Sequence, residues 1–287
     1  MNRETLYTSV SRRASAVVIA EYSTSFGLAC RLLAEPVRTH VENIYAYVRV
    51  ADEIVDGAGA QAGLALPALE KLLDEFEQQT YECLSLDFST NPIIHSFVKT
   101  ANTVGFGEEL IRPFISSMRA DLTETEHTPE SFNSYVYGSA EVIGLMCLHA
   151  FLLGEERTEL QQDQMKQGAQ ALGAAFQKIN FLRDLADDFD SLGRSYFPGI
   201  TVEQFNEAEK VELLADIDRD LEVSARALPL LPKSSRRAVG LAQTLFTELS
   251  ARIAKTPAVE LRHTRVSVPS AVKARLAAQA LIGKLPR

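Results

Sequence analysis

The stretch Tyr45-Ala46-Tyr47-Val48-Arg49-Val50-Ala51-Asp52-Glu53-Ile54-Val55-Asp56 decides how this chain is read. On a helix from about Val41 to Gly57, Tyr45, Arg49, Asp52 and Asp56 stand at offsets 0, 4, 7 and 11. At about 100° per residue they share an arc of about 60°. Val41, Ile44, Val48, Ala51 and Val55 line the adjacent arc, and Val50 and Ile54 cover much of the far side. An ordinary surface helix has one apolar face and one wet face. This one carries a narrow charged stripe on a rod that is otherwise mostly apolar.

A second helix, around Ala171 to Asp190, repeats the device. Gln177, Asn180, Asp184 and Asp188 fall at offsets 0, 3, 7 and 11, an arc of about 80°. Leu172, Ala175, Ile179, Leu182, Leu185 and Ala186 take the other faces. Two ionised carboxylates one turn apart repel each other, and burying them uncompensated costs several kcal/mol per charge. Something cationic therefore belongs between the stripes. Hard divalent cations held by oxygen ligands and sharing their remaining sites with phosphate suit the pattern, magnesium first and manganese as its substitute. Asn180 and Gln177 can offer neutral oxygens, while Arg49 and Arg183 can pair with phosphate oxygens. One D-x-x-x-D pair alone is more often a solvated surface feature. Two pairs, each with arginine and each on an apolar helix, are hard to assign to chance.

The rest of the sequence frames these stripes. The chain has 287 residues, 46% hydrophobic and 23% charged, with no Trp and few alternating β-branched runs, which favours helix over sheet. No stretch approaches the roughly 18 apolar residues of a membrane span, and the opening residues MNRETLYTSVSRR lack the apolar core of a signal peptide. Cys30, Cys83 and Cys147 lie far apart without metal-like spacing and read as buried thiols in a reducing cytoplasm. From Arg226 to Arg287 there are twelve Lys/Arg against two acids, so this tail carries +10 and leaves −19 on the preceding part. Such a tail either rests on an anionic membrane surface or is a solvated basic face. The acidic remainder argues against nucleic acid.

Gly/Pro/Ser punctuation divides the chain into roughly eight to ten helices, the longest predicted from about Glu159 to Asp190. Thr128-Pro129 marks one helix start, and Thr201-Val-Glu-Gln204 fits a capping box. The expectation is an all-α, single-domain helical bundle over 1–287 with a long central cavity. Small residues near the second stripe (Gly168, Ala169, Ala171, Gly173, Ala174, Ala175) either leave room for long substrate tails or serve close helix packing.

These motifs resemble the squalene/phytoene synthase family. The two stripes match its aspartate-rich motifs, Tyr45 to Asp56 and Gln177 to Asp188. Tyr22-Ser23-Thr24-Ser25-Phe26 with Arg31, Tyr135-Val-Tyr137-Gly138-Ser-Ala140 through Gly144, and Arg265-Val-Ser-Val with Lys273 follow in order, so the resemblance spans about residues 9–273. It implies an isoprenoid-synthase bundle with the acidic motifs facing each other across the cavity mouth. It implies metal binding at Asp52, Asp56, Asn180, Asp184 and Asp188. It places prenyl diphosphates near Ser23, Ser25, Arg31, Arg49, Arg183, Tyr196, Arg265 and Lys273, and catalytic roles on Tyr45, Arg49, Tyr137, Gln177 and Arg183. The wording D-E-I-V-D and R-D-L-A-D-D is most similar to bacterial phytoene synthases. The resemblance thus implies head-to-head joining of two geranylgeranyl diphosphates to 15-cis-phytoene through a cyclopropyl diphosphate, with farnesyl diphosphate and squalene or dehydrosqualene as the alternative. Terpene cyclases and head-to-tail transferases more often use D-D-x-x-D, and an assembly factor that had lost catalysis would show eroded acids. The chain departs from the family at Tyr22 (often His), Glu141 (usually Gly), Leu245 (often Tyr) and one extra residue between Asp188 and Arg194. None of these removes a metal ligand.

Overall fold

The computed structural model describes residues 3–185 and 195–283. Within them the chain is helical throughout, and the only β-type pairing is one isolated bridge between Glu126 and Ser195. The order is α1 (Arg3–Tyr22), α2 (Ser25–Cys30), α3 (Val37–Val55), α4 (Ala58–Gln61), α5 (Leu66–Leu86), α6 (Pro92–Val104), α7 (Glu108–Thr123) and α8 (Pro129–Val136). A π-turn at Tyr137–Glu141 leads into α9 (Val142–Phe151) and α10 (Glu159–Arg183). Then come α11 (Glu207–Ala227), α12 (Lys233–Lys255), α13 (Ala258–Leu261) and α14 (Ser270–Leu281).

Local chemistry sets these boundaries. Thr128 accepts from the Ser131 backbone N–H and Pro129 occupies the first turn, as the sequence predicts. The predicted capping box at Thr201 does not form. Val202–Gln204 is a single 3₁₀ turn without a side-chain cap, and the next helix starts at Asn206, whose side chain accepts from Ala208 and Glu209 while Glu209 reaches back. The Asn-x-x-Glu box outcompetes Thr201 because three hydrogen bonds, to Asn206 Oδ1 and Glu209 Oε2, converge on one helix start. The longest helix also ends earlier than predicted. Asp184 (φ −101°, ψ 10°) has left the helical region and closes α10 at Arg183. The predicted continuation through Asp188 to Asp190 lies outside the described residues.

Around α3 the core is aromatic. Tyr47 is fully buried and stacks on Phe97 with ring centroids 3.7 Å apart, and its hydroxyl pairs with that of Thr80. One apolar cluster joins α3 to α6, α7 and α9, and a second joins α8, α10, α11, α12 and the segment 196–205. The helix α10 lies against α9, α11, α12 and the π-turn. Its glycines let backbones touch. At Gly173 a Cβ would stand 2.6 Å from the Ala140 carbonyl oxygen, and Gly144 meets the Ala169 carbonyl in the same way. The small residues at these positions therefore serve close packing, and several of them also border the cavity described next.

Candidate active site

A cavity of about 590 Å³ opens between the two clusters. From one side it is lined by Tyr22, Ser23, Thr24, Ser25 and Phe26, and by Tyr45, Val48 and Arg49 of α3. From the other side α10 contributes Gly168, Leu172, Gly173, Phe176, Gln177, Asn180 and Arg183, and Arg265 reaches in from the loop before α14. Its remaining wall is mostly apolar, with Ile44, Ile143, Leu148, Phe151, Met165, Leu228 and Leu231 beside Ser139 and Ser224. The two polar stripes thus address one space.

Each stripe's charges are paired on its own side of that space. The Arg49 guanidinium sits 2.8 Å from Asp52, pairs with Glu53, and lies 4.6 Å from the centroid of the Tyr22 ring. Burial works against the Arg49 charge, but Asp52 and Glu53 outweigh it and hold the guanidinium above its ordinary range. Glu53 also accepts the backbone N–H of Ala58, fixing the turn after α3. On the opposite stripe Asp184 accepts Arg183 Nε at 2.8 Å and Arg265 Nε at 2.7 Å, with only 18% of its side chain exposed. Tyr45 stacks on Phe26 with centroids 5.8 Å apart, and burial pushes its phenol up although Ser23 and Arg49 pull the other way. Lys273 donates to Thr24 at 3.0 Å, which ties the start of α14 to the α1–α2 corner.

Most of the sequence-predicted residues come together. Ser23, Ser25, Tyr45, Arg49, Gln177, Asn180, Arg183 and Arg265 line the cavity. Asp52 and Asp184 stand beside it through their arginines, and Lys273 touches its lining through Thr24. Asp56 caps the C-terminal end of α3 and is not part of the lining; it adds to the rise of the buried Tyr135 phenol, behind burial and Asp121. Three further expected residues stand outside the lining. Tyr137 packs half-buried against the core, because the π-turn presents Ser139 and Ala140 to the cavity instead. Arg31 is exposed outside the lining, since α2 has ended and the chain turns toward Pro36. Tyr196 is buried behind the site, stacked 4.0 Å from Phe181 in a cage with Tyr135 and His127. Asp188 lies outside the described residues. Sequence reading missed Glu53, whose i+4 spacing from Arg49 is the signal that could have found it. It also missed the Phe176–Phe246 stack at 3.7 Å, which no spacing within one helix announces.

The donors present fit a hard divalent cation. Asp52, Asp56, Asp184 and the amide oxygen of Asn180 are all oxygens, and Asn180 Oδ1 is buried without a protein hydrogen bond. Among the described residues no three Asp, Glu, His or Cys side chains gather into a ready-made metal cage.

An all-helical bundle with acidic and arginine stripes at one end of an apolar cavity has the isoprenoid-synthase fold. It superposes on a crystal structure of a dehydrosqualene synthase with a TM-score of 0.78 at 21% identity, over 96% of each chain. A squalene synthase from Alicyclobacillus acidocaldarius gives 0.73 at 18% identity, over 87% of this chain and 95% of that one. The squalene/phytoene synthase family model matches residues 19–271, and this chain belongs to that family. A phytoene synthase of Arthrospira platensis is 32% identical over 213 residues, covering 70% of this chain and 65% of the relative. A 15-cis-phytoene synthase of Synechocystis is 30% identical over 209 residues, covering 71% of this chain and 60% of the relative. The match therefore spans less than two thirds of the length of either relative.

Proposed function

We propose that this protein is a phytoene synthase, a prenyl transferase that condenses two geranylgeranyl diphosphates head to head to 15-cis-phytoene and releases two diphosphates. The observation that carries the reading is one cavity with Arg49, Arg183 and Arg265 at its charged end and mostly aliphatic and aromatic side chains over the rest. The family's similarity to phytoene synthases of cyanobacteria supports the choice of product.

The residues divide the work by chemistry. Arg49, Arg183 and Arg265 can each offer paired N–H donors to diphosphate oxygens, with Ser23, Ser25 and Lys273 within the same neighbourhood. Asp52, Asp56, Asn180, Asp184 and Asp188 would hold divalent cations, magnesium or manganese, and bound cations supply positive charge to the departing diphosphate. Loss of diphosphate leaves an allylic cation that water would quench, so the apolar wall must keep the space dry. The stacked pairs Phe26–Tyr45 and Phe176–Phe246 present aromatic rings there, which favour a nearby cation without attacking it. Gln177 and Tyr45 both line the cavity and can orient the departing group, Tyr45 as a neutral phenol. The double bond of the second prenyl diphosphate then attacks the cation, and loss of a proton closes the three-membered ring to give the cyclopropylcarbinyl diphosphate. A second ionisation with loss of a proton completes the hydrocarbon.

The chain acts as a single domain in the cytoplasm, and the basic tail allows contact with an anionic membrane surface where a C40 product can leave. Among the described residues no helix is long and apolar enough to cross a membrane. The test supplies purified protein with magnesium and either C15 or C20 diphosphate, with and without NADPH, and identifies the hydrocarbon by mass and retention. Phytoene from the C20 substrate without NADPH supports the reading. Squalene or dehydrosqualene from the C15 substrate replaces it with the farnesyl-based alternative.

A further inference from the structure

The charged end of the cavity is self-neutralised. Three guanidinium groups, Arg49, Arg183 and Arg265, are paired with three carboxylates, Asp52, Glu53 and Asp184. Asp184 is engaged on both oxygens, by Arg183 from its own helix end and by Arg265 from 81 residues away. A cation alone would have to displace these arginines and leave them without counter-charges beside a half-buried site. A diphosphate alone would take the arginines and strand the acids. Either exchange leaves one set of charges unpaired, which is the costly outcome when only one partner of a shielded ion pair is removed. When both ligands enter, the arginines move to phosphate oxygens and the carboxylates to the cation, and every charge keeps a partner.

We propose that these arginine–carboxylate pairs, with Arg265–Asp184 foremost, mask the metal ligands, so that divalent cation and diphosphate bind together and each weakly alone. The inference rests on the metal-dependent reading above and adds the order of assembly. Arg265 is the informative residue. Its side chain is 57% exposed and lies on a loop, so its loss does not threaten the core. Linkage makes the coupling reciprocal, and couplings of this kind are commonly about 5–150-fold.

The experiment is equilibrium dialysis of the full chain against Mn²⁺, read by the paramagnetic signal of bound and free ion. Inorganic diphosphate is present at equal free concentration on both sides or omitted from both. Wild-type protein should bind Mn²⁺ at least about tenfold more tightly with diphosphate than without. Arg265→Gln should tighten Mn²⁺ binding in the absence of diphosphate and shrink the coupling. That effect should disappear in the Asp184→Asn background, because the pair it relieves is gone. Arg265→Lys, which keeps the charge but not the fork, should fall between wild type and Arg265→Gln. Equal Mn²⁺ affinity with and without diphosphate, or no gain in Arg265→Gln, overturns the proposal. Because the readout is metal occupancy, a protein that makes hydrocarbon yet shows no coupling overturns the order of assembly alone. A protein that binds no Mn²⁺ under either condition overturns both readings.

Discussion

Replacing Gly173 by alanine tests whether the packing of α10 sets the geometry of the site. The new Cβ would stand 2.6 Å from the Ala140 carbonyl oxygen, 2.9 Å from its carbon and 3.0 Å from the Glu141 Cα. All three are backbone atoms, so no side chain can swing away. Ordinary contact begins near 3.4 Å, and α10 must therefore withdraw from the π-turn by about 0.8 Å. Overpacking of this kind costs about 1–3 kcal/mol, and alanine returns about 1 kcal/mol in helix propensity. The net loss of stability is then small, between about 0 and 2 kcal/mol. Turnover should suffer more, since Gln177 and Asn180 lie one and two turns further along the same helix and line the cavity. A displacement approaching 1 Å at reacting groups can cost about a hundredfold. The expected outcome is a urea midpoint close to wild type with hydrocarbon formation down by roughly ten- to a hundredfold. Wild-type turnover in a stably folded Gly173→Ala protein would refute the claim that this contact positions the second stripe.

Two further predictions concern stability alone. Burial pushes the Cys147 and Cys30 thiols from 9.0 up to about 12. The folded chain therefore keeps these protons where the unfolded chain loses them. Their contribution is fully present below about pH 9 and declines from there toward pH 12, by about 1.4 kcal/mol per pH unit for each thiol. Urea titrations between pH 8 and 10 should show a shallower fall for Cys147→Ala than for wild type, and parallel slopes would contradict this origin. The cap correction is equally testable. Asn206→Ala should cost about 1 kcal/mol, whereas Thr201→Ala, whose side chain caps nothing, should shift the thermal midpoint little. The reverse ranking would restore the sequence-level assignment.

Both polar stripes were legible because helical offsets convert directly into a shared face, and Asp52 and Asn180 need no tertiary information to be placed there. The fold class followed from composition, and the start of α8 from Thr128 and Pro129. What could not be read were choices between near-equivalent partners. Arg49 has acids at both i+3 and i+4, and the chain uses both. Asp184 recruits Arg265 across 81 residues, a contact set by how the loop before α14 returns over the bundle. Tyr135 and Tyr137 differ by two residues. Helical periodicity already separates their faces, but the π-turn that begins at Tyr137 brings Ser139 and Ala140 to the cavity, and no local propensity announces that widening.

The same π-turn keeps the Glu141 carboxylate out of the site. Glu141 ends the turn, where Gly173 brings α10 against the backbone of Ala140 and Glu141. Ala140 and Gly144 face the cavity, but Glu141 points behind α10, where Gln170 donates to its carboxylate at 2.9 Å. Burial raises the Glu141 carboxyl above its usual range, with the Gln170 hydrogen bond opposing and nearby Asp220 adding to the rise. Lys178, clamped between Asp216 and Asp220 of α11, supplies the compensating charge on that side. Consecutive residues 177 and 178 thus point to different worlds, Gln177 into the cavity and Lys178 into a polar seam that holds α10 to α11. Gln170 and Lys178 offset this carboxylate in part, while burial and Asp220 still raise it. The same carboxylate added three residues later, at Gly144, would meet the backbone of Ala169 and intrude on the space the prenyl chains require.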